Sequence, residues 1–130
     1  PFLGVTQGHH GASHNNNSDG YEAISRWHVS QFHYLASKLD SMPEGDGTVL
    51  DNSCLMFISS LFVGRTHDNS RLPVLLAGGL GGTLKTGRSL NYLGEPAENR
   101  KMCSLYLSLM DRLGVEVDHF GDADSRLARL

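Results

Sequence analysis

At 130 residues the chain has one domain's worth of length and can bury a sizeable core. A formal net charge of −3 argues against a nucleic-acid or anionic-membrane partner, which would favour a basic excess. No apolar run approaches the roughly eighteen residues that a bilayer-spanning helix needs. No charged-then-apolar leader is visible, and Cys54 and Cys103 form no CxxC pattern of a zinc knuckle.

In chain order, Phe2-Leu3-Gly4-Val5-Thr6 reads as a short, mostly buried strand. It runs into Gly8-His9-His10-Gly11-Ala12-Ser13-His14-Asn15-Asn16-Asn17, where three histidines, a serine and three asparagines crowd into ten residues. A glycine-bounded loop can present such side chains together, and their density points to a metal ion or an anion. The competing reading is a solvated loop whose asparagines satisfy local turns. Ser18 then caps a predicted helix at about 18–42, with Asp19 and Glu22 in its first turn to suit the helix dipole. Its apolar face is Ile24, Trp27, His28, Phe32, Leu35, Leu39 and Met42, so His28 reads as a core histidine rather than a ligand. Pro43-Glu44-Gly45-Asp46-Gly47 stops the helix.

Cys54 opens an apolar stretch and reads as a small buried hydrophobe. Leu55-Met56-Phe57-Ile58 and Val74-Leu75-Leu76-Ala77 lack polar alternation, as parallel strands covered on both faces do. Strand, long helix and strand predict a right-handed βαβ unit, hence an α/β fold with a mostly parallel sheet and flanking helices. The loop from Ser59 to Leu72 carries Arg65, His67, Asp68 and Arg71. In a parallel sheet it opens on the same edge as the histidine loop, where such folds put their ligands. His10, His14 and His67 are therefore the candidate ligands of a zinc-like divalent metal, with His9 and Asp68 as substitutes. Arg65, Arg71 and Ser13 are the candidate anion-binding residues. Gly78 to Arg88 fits neither phosphate-loop pattern and reads as a flexible turn or hairpin, although Lys85 and Arg88 are suited to an anion. A second amphipathic helix is predicted over about 96–113, ended by Gly114, with Val115 and Val117 in a last short strand.

His10-Gly11-Ala12-Ser13-His14 and Arg26-Trp27-His28-Val29 with Gln31-Phe32 resemble the bacterial HXXSHH-motif proteins, a family of uncharacterised function. Leu50-Asp51-Asn52-Ser53, His67 before Leu72-Pro73, Leu76-Ala77-Gly78-Gly79, Gly87-Arg88 with Leu90, and Gly114-Val115 with Phe120-Gly121-Asp122 extend the likeness along nearly the whole chain. The resemblance implies a single domain over 1–130, the C-terminal portion of a longer, exported (periplasmic or extracellular) protein. At least one edge of its parallel sheet would then lie bare or be capped by the absent N-terminal portion. It also implies a relation to the alkaline phosphatase superfamily, an α/β/α sandwich with metal-holding loops at its strand ends. Two positions depart from these patterns. Asn15 stands where the motif has its final histidine, and Ser59-Ser60-Leu61-Phe62 stands where the superfamily carries Ser-Asp-His-Gly. Two function classes follow: a metal-dependent hydrolase-like domain acting on an anionic ester, or a non-catalytic secreted or cell-surface protein that uses its polar loops for binding or structure.

Overall fold

The computed structural model describes residues 3–15 and 18–130. The chain divides into two compact units, one ending at Gly78 and the other spanning Gly79–Leu130. Among the described residues no helix is long and apolar enough to cross a membrane.

The first unit begins with two helices. α1 (His9–Ser13) is a single helical turn where a loop was expected, and its only buried residue is Ala12. α2 (Asp19–Asp40) starts where the sequence indicates: the Ser18 hydroxyl accepts a hydrogen bond from the Tyr21 amide at 3.2 Å, satisfying one of the unpaired donors of the first turn. Ile24 is buried on its inner face, whereas Leu35 and Met42 of the predicted apolar stripe stay exposed. α1 packs on α2. Residues 3–6 hold a turn and a bend instead of the predicted strand, whose remaining residue, Phe2, lies outside the described residues.

After α2 come two small sheets. β1 (Pro43–Glu44) and β2 (Gly47–Thr48) form a tight hairpin, with Gly45 in the left-handed region at φ 58°. β3 (Leu55–Ile58) and β4 (Val74–Ala77) lie at the predicted positions but pair antiparallel, with Phe57 opposite Leu75 and Met56 opposite Leu76. This overturns the mostly parallel sheet and the alkaline-phosphatase-like partial α/β/α sandwich. The reason lies in the connection. A parallel return needs a crossover of a dozen or more residues, usually helical. Here the chain instead reverses through a turn closed by the Val63–Asp68 bridge. The absence of polar alternation has a different origin as well: opposite residues share a face, so both faces of a two-stranded ribbon are apolar. The Phe57 ring meets Phe32 of α2 at 5.7 Å, while Met56, Ile58 and Leu75 remain exposed.

β4 ends on Gly78, whose φ of 104° suits only glycine. A Cβ there would come within 2.2 Å of the Ser53 carbonyl oxygen and 2.7 Å of that of Leu50. Gly78→Ala is accordingly expected to destabilise the first unit by about 2 kcal/mol or more, from strain and overpacking together. Chemical denaturation measures this, and an unchanged midpoint would contradict the close approach.

The second unit is built on α3 (Met102–Arg112), preceded by a 3₁₀ turn (Ala97–Asn99). The helix therefore starts later than Pro96 suggests, with Lys101 as its N-cap. Gly114 ends it at φ 75°, and the Val115 amide donates back to the Met110 carbonyl, as in a Schellman-type cap. Residues 115–117 are not a strand. Leu105, Leu107, Ser104 and Ser108 are buried. The Ser108 hydroxyl accepts from the Leu127 amide at 2.8 Å and donates to the Ser104 carbonyl at 3.0 Å, so this buried polar group is paired on both sides. Arg112 donates to the carbonyls of Thr83, Ser108 and Leu130, tying both ends of the unit to the helix.

Arg126 grips the Asp111 carboxylate through two hydrogen bonds of 2.8 and 2.7 Å. That bond, aided by the charges of Arg126 and Arg112, holds the Asp111 carboxyl below the usual carboxylate range. A carboxyl depressed in the folded state stabilises above its unfolded pKa, and that contribution is lost as pH falls through the folded one. Melting curves from pH 7 to pH 3 should thus show the wild-type advantage over Asp111→Asn shrinking as the solution is acidified. An advantage independent of pH would discount the ion pair.

Candidate metal centre

The single helical turn of α1 sets the geometry. His10 lies within it and His14 caps it, four residues apart, which puts both rings on one face. Their Nε2 atoms are 3.3 Å apart and their ring centroids 4.9 Å apart. At this separation one neutral ring donates an N–H···N hydrogen bond to the other. It is also the spacing of two ligands on one ion, since two metal–nitrogen bonds of ~2.0–2.1 Å at a tetrahedral angle hold the nitrogens about 3.4 Å apart. His14 is half-buried and His10 exposed, so the outer side of the pair is open to solvent.

His67 reaches the same place from the turn between β3 and β4. Its ring meets that of His14 edge-on, with centroids 5.4 Å apart and planes at 87°. Two backbone features bring it there. His67 adopts the left-handed conformation at φ 55°, which is uncommon for a residue with a side chain and costs on the order of 1–2 kcal/mol. Gly64, buried in the same turn, lies against the C-terminal end of α1, where a Cβ would fall 2.3 Å from the Ser13 carbonyl oxygen. The turn docks on α1 because position 64 lacks a side chain. His67 thus comes beside His14 through this contact and not through strand ends of a parallel sheet. Among the described residues no three His, Cys, Asp or Glu side chains are arranged to hold one ion, so His67 stands beside the pair without completing a three-ligand group.

The remaining candidates have other engagements. Asp68 accepts from the Ser70 amide at 2.8 Å, and this hydrogen bonding to Ser70, ahead of the nearby charge of Arg71, lowers its pKa. Arg71 lies 3.8 Å from the Asp68 carboxylate and stacks its guanidinium over the Phe62 ring at 4.3 Å. The Ser13 hydroxyl donates to the His10 carbonyl at 2.7 Å. Arg65 occupies the exposed tip of the turn, between Gly64 and His67. His9 leaves α1 in another direction and meets His28, with ring centroids 5.6 Å apart. His28 is half-buried beside Trp27 and is not the core histidine that its apolar helix face suggests. A cleft in the second unit is lined by Asp111, Glu116, Val117, Asp118 and Arg126, none of them a sequence candidate.

No family model, no curated protein and no solved structure matches this chain. The alkaline-phosphatase-like hydrolase expectation depends on a parallel sandwich, and the antiparallel β3–β4 ribbon removes that support.

The Gly64 contact is directly testable. Gly64→Ala should push the turn off α1, cost about 1–3 kcal/mol in stability and abolish ring-to-ring NMR contacts between His14 and His67. Retention of those contacts at unchanged stability would show that something else positions His67.

Proposed function

We propose that the chain is a non-catalytic metal-binding module, in which His10 and His14 hold a divalent transition-metal ion and His67 completes the protein ligands by turning its ring. The observation that supports this reading best is the 3.3 Å separation of the two Nε2 atoms, a ligand–ligand spacing already present in the fold. Neutral imidazoles suit zinc, copper, nickel or iron. The exposed side of the pair leaves positions for water or an external donor. Binding and not turnover is favoured because Arg71 and Ser13, two of the three residues suited to an anionic substrate, are engaged within the protein. The resemblance to HXXSHH-motif proteins supports an exported setting.

An ion held from both sides would crosslink α1 to the 62–68 turn, so metal should stabilise the folded chain. At a free concentration a hundred times the Kd the gain is about 2.7 kcal/mol. Calorimetric titration of zinc into untagged protein tests the assignment. His10→Ala and His14→Ala should each weaken binding by more than the roughly 10–100-fold that loss of an outer-shell partner costs, with His67→Ala intermediate. Acidification should weaken binding, because imidazole ligates only when unprotonated. Identical zinc isotherms for wild type and the His10→Ala/His14→Ala variant would refute the site.

A further inference from the structure

α1 carries two adjacent histidines, and the fold sends them to different partners: His10 to His14, and His9 across to His28 on α2. We propose that His9 and His28 form a second transition-metal site, so that the first unit takes two ions. This inference stands on its own pair of rings and does not depend on the site at His10 and His14.

The distance is the first support. A ring centroid lies about 3.2 Å from an ion bound through a ~2.0–2.1 Å nitrogen bond, so two imidazoles sharing an ion have centroids about 5–6 Å apart, depending on the angle at the metal. His9 and His28 are 5.6 Å apart, inside that window and near the value for a ligand angle of about 120°. Their planes stand at 85°, which sharing an ion permits because each ring turns freely about its own metal–nitrogen axis.

Preorganisation is the second support. His28 is half-buried, with the Trp27 ring packed against it at 5.1 Å, and a side chain restricted in this way loses little freedom on binding. His9 is exposed, and its other neighbour is the Tyr21 ring at 6.3 Å. One held ring and one solvent-facing ring make a two-ligand site open on its outer side, to be filled by water or by a donor from a partner molecule. Packing of α1 on α2 sets the spacing of the two rings.

Equilibrium dialysis of untagged protein against zinc, with metal counted by elemental analysis, reads the stoichiometry. Two equivalents are expected for wild type, one for His9→Gln/His28→Gln, one for His10→Gln/His14→Gln, and none for the fourfold variant. Ring NMR of His10→Gln/His14→Gln supplies a readout that a structural role would not move: the His9 and His28 signals should shift together and saturate at one equivalent of zinc. If the His9→Gln/His28→Gln variant loses its helical circular dichroism, the single His28→Gln variant replaces it. The proposal is overturned if removing these imidazoles leaves the zinc count at the wild-type value, or if the two ring signals do not respond. A zinc count that falls only with His9 and His28 would instead remove the reading at His10 and His14 and leave this one standing.

Discussion

The meeting of His67 with His14 depends on one close approach, that of Gly64 to the Ser13 carbonyl. With 2.3 Å between a would-be Cβ and that oxygen, no side chain fits without the backbone moving. The contact joins a helical turn near the start of the chain to a reversal some fifty residues later. Around it, the Val63–Asp68 bridge closes the turn, and the left-handed backbone of His67 brings its ring back to His14. Each is a backbone device, and together they place one imidazole, that of His67. Strain of this kind persists only where the surroundings over-determine it.

The polar groups around this contact divide their labour clearly. Asp68, Ser70 and Arg71 hold one another, and the Ser13 hydroxyl closes onto the backbone of α1. Their role is to keep the turn and the helix in shape. The histidines fall into two groups separated by the direction in which adjacent residues leave a helix. That separation follows from the turn of about 100° between successive residues of an α-helix.

The β3–β4 ribbon shows how one pattern arises from two architectures. An apolar run without alternation marks a strand covered on both faces, and parallel central strands are the commonest case. Here both faces of an antiparallel pair are apolar: α2 meets the Phe57 side, while Met56 and Ile58 on the other side are exposed. The deciding information was the connection, because residues 59–73 contain no helix that would carry the chain over a sheet. The stretch before α2 misled in a related way, since a short apolar segment without a partner strand has nothing to pair with.

Local chemistry determined the features that are satisfied within a few residues. The Ser18 cap, the body of α2, the Gly114 stop of α3 and the positions of β3 and β4 were all legible, because each is set by dihedral preference, capping or side-chain period. Strand direction, the meeting of His67 with His14 and the pairing of His9 with His28 belong to the tertiary structure alone. These depend on which segments approach closely, and close approach turns on the volume left free at single positions such as Gly64 and Gly78. A glycine in a sequence announces that the backbone can bend or be approached. Only the folded chain decides what approaches it.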